Sequence, residues 1–154
     1  MTSNQDYKKF IGLLNNNQVK YLIVGGYAVA YHGFNRPAKG LDVWVLPLFS
    51  NIMNFISATR AFGYSSINFS PENIKNPHML FEFGSKPNLI HIYTEITGVS
   101  FNQCYKHRAM LVKEGLTIDI ININQLIKAK ETSGRLFDLD DVQKLLQIKK
   151  LNKN

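Results

Sequence analysis

The sequence predicts an α+β domain, a mixed sheet with flanking helices. Three observations carry that expectation. Short apolar runs of strand length alternate with longer segments of helical spacing. The first run ends at a glycine pair that turns it into a short helix, Gly25-Gly26. The chain then closes on two helical segments, so helices and strands must share one core. Its 154 residues, 45% of them apolar, suit one such core, and residues 1–154 are expected to form a single domain.

Each element can be justified in order. Tyr7, Phe10, Ile11 and Leu14 fall at helical spacing behind Ser3 or Asn4 as cap, and Asn15-Asn16-Asn17 ends that helix. Tyr21 to Val24 is a continuous apolar strand. A short helix is expected over Tyr27 to His32, stopped by Gly33. After the polar loop 34–40, Leu41 to Leu46 reads as a second strand. Alternation puts Asp42 and Trp44 on one face, with Leu41, Val43 and Val45 on the other. Phe49, Ile52, Met53 and Ile56 mark an amphipathic helix ending by Gly63, followed by an irregular stretch over 64–78 with one helical turn after Pro71.

Leu80 to Phe83 is expected as a strand carrying Glu82, joined through Ser85-Lys86-Pro87-Asn88 to a strand over Leu89 to Tyr93 in a hairpin. A short helix near Phe101 to Lys106 and strands at Met110 to Val112 and Leu116 to Ile121 follow. Helices are expected from about Asn124 to Glu131 and from about Asp138. The last would carry Leu139, Val142, Leu145 and Leu146 inward, with Asp138, Asp140 and Asp141 in its first turn and Lys149 and Lys150 in its last, as the helix dipole prefers.

Composition excludes several functions. No run of about 18 apolar residues is present, so no membrane span is expected. The N-terminus is polar, without the basic and apolar regions of a secretory leader, and a cytoplasmic setting is expected. Cys104 is the sole cysteine, which rules out an internal disulfide and a thiolate metal cluster; it reads as a packed small residue rather than a nucleophile served by His107. Trp44 reads as packed rather than as a stacking platform. No Ser-His-Asp order, Walker loop or zinc-finger spacing occurs. A net charge of +7 and a pI near 9.5 favour a phosphate-bearing ligand, RNA or an acidic protein partner.

Gly25-Gly26 before a helix allows close backbone approach by a phosphate, although a strand-to-helix turn needs glycine in any case. The run Gly25 to Gly33, then Asn35-Arg36-Pro37, then Leu41-Asp42-Val43-Trp44-Val45 resembles the minimal nucleotidyltransferase family. Its members carry Gly-Gly or Gly-Ser after the first strand, then an Arg, a Thr and an Asp-x-Asp pair on the next strand. Leu126-Ile127, Lys130, Arg135, Asp138, Asp141 and Leu145 resemble the family's closing pattern. The resemblance spans most of residues 20–146.

The resemblance implies the nucleotidyltransferase fold, a nucleotide held near Gly25, Gly26, Arg36, Lys39, Lys130 and Arg135, and Mg²⁺ or Mn²⁺ on three converging carboxylates. Lys130 and Arg135 have a second use, pairing with Asp138 and Asp141 to fix the last helices. The sequence departs from the family where the metal should bind: Ala38 stands for the Thr, Gly40 for the first Asp and His91 for the third, leaving Asp42. His91 could itself hold a transition metal with Asp42, and Glu82, beside it, and Asp119 are the candidate replacement oxygens. The expectation is a pseudoenzyme that binds a nucleotide, an RNA end or a partner protein. The alternative is an active metal-dependent enzyme of toxin–antitoxin, phage-defence or antibiotic-modifying type, with Asp42 as its catalytic carboxylate. A third reading is an interaction module with an exposed apolar patch, for which Phe69 and Met79 are the residues to inspect.

Overall fold

The computed structural model describes residues 4–64 and 80–152. They run α1 (Gln5–Asn16), β1 (Tyr21–Val24), α2 (Gly25–Tyr31), β2 (Leu41–Val45), α3 (Phe49–Phe62), β3 (Leu80–Phe83), β4 (Ile90–Tyr93), α4 (Phe101–Lys106), β5 (Ala109–Lys113), β6 (Leu116–Ile120), α5 (Ile123–Ser133) and α6 (Leu136–Asn152). The expected irregular stretch and turn after Pro71 lie almost wholly outside the described residues, as do Phe69 and Met79.

The strands form a six-stranded mixed sheet in the order β3-β4-β2-β1-β6-β5. β1 and β2 run antiparallel, β2 and β4 parallel, and β3 and β4 make the expected hairpin. A second hairpin joins β5 to β6 through Glu114-Gly115, both at positive φ (54° and 79°), the geometry of the tight two-residue turn. One sheet face carries Leu41, Val43, Val45, Ile90 and Ile92, all buried. On that side Phe10 from α1 meets the rings of Phe55 and Phe62 from α3 and Phe83 from β3. Such rings remove large apolar areas from water and gain edge-to-face contact besides. The opposite face carries Asp42 and buries Trp44, whose ring meets Phe101 of α4 edge-on at 5.2 Å between centroids.

The helices start and stop for local reasons. Asn4 caps α1 by accepting from the Asp6 and Tyr7 amides, and Ser100 and Asn122 cap α4 and α5. Gly63 and Gly134 end α3 and α5 in the left-handed region. His32 ends α2 and donates Nε2–H to the Ile121 carbonyl at 2.7 Å, tying that helix to the end of β6.

Three expectations need correction. The short second helix begins at Gly25, so both glycines lie inside its first turn instead of preceding it. In α3 the buried arc is Asn51, Ile52, Phe55, Ile56, Ala58 and Thr59, leaving Phe49 and Met53 exposed. Asn51 fixes that rotation: it accepts from the Lys20 amide and donates to the Leu46 carbonyl. In α6 the inward arc is Asp138, Asp141, Val142 and Leu145, while Leu139 and Leu146 are exposed. Two carboxylates win the buried arc because buried cations await them there.

Phe10→Ala should cost about 3–5 kcal/mol, since three neighbouring rings would face the cavity it leaves. Urea unfolding midpoints check this, and a cost below about 1 kcal/mol would show that the helix layer repacks.

Candidate functional site

Strand register builds the site. Asp42 lies opposite Val24 on β1 and opposite His91 on β4, and His91 lies opposite Glu82 on β3. Paired residues project from the same face of a pleated sheet, so Glu82, His91 and Asp42 stand in one row. The imidazole bridges the two acids: Nδ1 is 2.8 Å from Asp42 Oδ1 and Nε2 is 3.1 Å from Glu82 Oε2. Ionised carboxylates only accept, so the three groups must share two protons for both contacts to be hydrogen bonds. Burial pushes the Asp42 carboxyl above its ordinary range, and the attraction of His91, Lys130 and Arg36 offsets this only in part.

Asp42 also explains the first glycine. A Cβ on Gly25 would stand 2.0 Å from Asp42 Oδ2, and Gly25 has φ +66°. The close approach that Gly25 permits is thus to a carboxylate of the chain itself. Gly26 is packed by the following loop, its Cβ position lying 2.8 Å from that of Ala38.

The basic residues meet in a buried ion network. Arg36 grips Asp141 with two bonds, Nε–Oδ1 at 2.8 Å and Nη2–Oδ2 at 2.7 Å, and lies over the Phe137 ring. Lys130, 8% exposed, holds Asp141 at 2.9 Å and Asp138 at 3.0 Å. Asp138 also accepts from Arg135 Nε at 2.8 Å and from the Ser133 hydroxyl at 2.6 Å. Burial alone would raise both aspartates; bonding to Ser133, Lys130 and Arg135 for Asp138, and to Arg36 and Lys130 for Asp141, more than reverses it, and both carboxyls titrate below the usual range. The pairing reading of Lys130 and Arg135 therefore describes their contacts.

A cavity of about 450 Å³ opens beside this network. Gly25, Asp42, Lys130, Arg135 and Asp138 line it, together with Tyr93, Glu95, Thr97 and Ser133. The structure thus brings Gly25, Asp42, Lys130 and Arg135 to one cleft. Gly26, Arg36 and Lys39 do not line it, and neither do His91 and Glu82; Lys39 is exposed. Asp119 is turned away to Arg108, 3.2 Å distant. Tyr93 and Glu95 went unnoticed in the sequence, although the alternation that places His91 places Tyr93 on its side of the strand; Glu95 follows the strand's end. Burial, with Asp42 adding to it, pushes the Tyr93 phenol up to about 12. Cys104 is buried and its thiol is pushed up to about 11 by that burial, which suits packing and not nucleophilic attack.

The donor set does not fit a divalent ion. Hard cations need several oxygens turned to one point, whereas both nitrogens of His91 are already committed to carboxylates. Among the described residues no three His, Cys, Asp or Glu side chains are arranged to hold a metal. No helix among them is long and apolar enough to cross a membrane.

No family model and no curated protein matches the chain. Solved structures do. A protein of Thermotoga maritima described as a candidate nucleotidyltransferase superposes with a TM-score of 0.60 at 15% identity, over 92% of this chain and 90% of that one. An antigenic nucleotidyltransferase-like protein of Paracoccidioides brasiliensis gives 0.55 at 12% identity, over 94% of this chain and 77% of that one. The chain has the nucleotidyltransferase fold, in a divergent form.

The ion network sets an acid limit on stability. Carboxyls held below their unfolded value of about 3.9 contribute fully above that pH and lose the contribution as pH falls through their lowered folded values. Asp141→Asn leaves Arg36 and Lys130 short of a buried partner and should cost about 3–5 kcal/mol at pH 7. Below about pH 4 its unfolding free energy should fall less steeply than the wild type's. Parallel profiles in urea titrations at stepped pH would refute this assignment.

Proposed function

We propose that the protein is a pseudoenzyme on the nucleotidyltransferase fold, which binds a nucleotide in the Asp42–Arg135 cleft and does not transfer nucleotidyl groups. The observation that carries the reading is His91, whose two ring nitrogens engage Asp42 and Glu82 where such transfer needs converging oxygen ligands.

The cleft's volume is in the range of small-molecule sites. Its charges suggest which nucleotide. Asp42, Glu95 and Asp138 face Lys130 and Arg135, and Asp138 and Asp141 already hold the Lys130 ammonium. The Arg135 side chain is 78% exposed and its guanidinium uses only Nε, on Asp138, among the described hydrogen bonds, so its terminal nitrogens remain for an anion. One guanidinium, already sharing an edge with Asp138, beside several carboxylates suits a single phosphate better than a triphosphate without a cation. The carboxylates suit ribose hydroxyls and base amino groups, which donate. A nucleoside monophosphate, or the terminal nucleotide of an RNA, fits this polarity.

Calorimetric titration with AMP, GMP, CMP and UMP, and with the matching triphosphates, tests the reading. A monophosphate should bind equally in EDTA and in Mn²⁺, and Arg135→Met should weaken it about tenfold, the worth of one charge-assisted hydrogen bond. Incorporation of labelled nucleotide into RNA or protein with Mg²⁺ or Mn²⁺, abolished by Asp42→Ala, would contradict it, as would the absence of any nucleotide binding.

A further inference from the structure

The two changes that empty the carboxylate set, Gly40 and His91, touch each other. A Cβ on Gly40 would lie 2.9 Å from His91 Cε1, closer than real Cβ atoms come, and 3.2 Å from Nδ1, tighter than most. It would also lie 2.9 Å from the Leu89 carbonyl oxygen. Neither neighbour can give way cheaply. The ring is held at both nitrogens, by Asp42 and Glu82. The carbonyl accepts from the Leu41 amide at 2.9 Å and from the Tyr7 hydroxyl at 2.8 Å. Gly40 is buried although the loop before it alternates between exposed and half-buried residues, so its missing side chain is filled space, and the imidazole fills part of it.

We propose that Gly40 and His91 act as one unit, a bare backbone position that admits an imidazole bolt. The bolt links Asp42 to Glu82 across the sheet and closes this corner to divalent cations. Gly40 is the condition and His91 the device. Neither residue touches the ligand cavity, so His91 acts as a positioning residue: it fixes one oxygen of Asp42 and leaves Oδ2 beside Gly25, where the cavity begins. The same row would take a cation if the ring were exchanged for a third oxygen donor, because Glu82 and Asp42 already flank that position on adjacent strands. The inference deepens the proposed reading of this cleft and rests on its claim that the corner holds no metal. It does not rest on nucleotide binding.

Two measurements on the full chain test it. The first is a double-mutant cycle in unfolding equilibria. Gly40→Ala should raise the unfolding constant about tenfold or more in the wild type, and by measurably less in a His91→Ala background, where the new methyl still meets the Leu89 carbonyl but no longer the ring. Equal effects in both backgrounds would overturn the coupling. The second is electron paramagnetic resonance of free Mn²⁺ titrated with protein. Wild type should leave the free-ion signal unchanged, and His91→Asp, checked as folded by circular dichroism, should reduce it. Mn²⁺ uptake by wild type that Asp42→Ala removes would overturn the bolt, as would a folded His91→Asp that takes up none. Loss of nucleotide binding with both results intact would sink the proposed function and leave this inference standing.

Discussion

Everything at the candidate site follows from the register of β2 against its neighbours. Pairing Asp42 with Val24 on one side and His91 on the other, and His91 with Glu82, puts two acids and one imidazole in a single row on one face. A slip of β2 by one residue would send Asp42 to the opposite face, among the rings of α1 and α3 and away from His91 and Glu82. The register is in turn fixed by the fully apolar set Leu41, Val43, Ile90 and Ile92 pointing the other way. The core therefore dictates the chemistry of the cleft: once the aliphatic face is buried, the polar face has no freedom of placement.

The second organising feature is ionic. Arg36 from the loop before β2, Lys130 from α5 and two aspartates from α6 close around one another with little solvent. A buried charge without a partner costs several kcal/mol, so these groups hold together or not at all. This binds the two closing helices to the loop beside the glycine pair and walls the cavity. Cations that fold-level reasoning assigns to a ligand are here mostly committed to the protein, and among the described hydrogen bonds the exposed guanidinium of Arg135 uses only its Nε on Asp138.

Much of the fold was legible in the sequence because its signals are local. Strands β1 and β2, helices α1 and α4 and the β3–β4 hairpin stand where alternation, helical spacing and turn residues put them. The rotation of α6 was not legible. Leu139 and Leu146 look like core by spacing, whereas Asp138 turns inward to Lys130 and Asp141 to Lys130 and to Arg36, the one partner distant in sequence. Likewise the identities of Asp42, His91 and Glu82 could be read, but not that the ring would lie between the acids, since that depends on register across three strands. The steric bond between Gly40 and His91, 51 positions apart, leaves no local pattern at all.

The His91 imidazole occupies the place where the family resemblance implies an oxygen ligand. Anomalous diffraction from crystals soaked in MnCl₂ tests it most directly. The account predicts no anomalous peak between Asp42 and Glu82, with the His91 ring hydrogen-bonded to both. A peak at that position, with the ring swung aside and carboxylate oxygens around the ion, would contradict it.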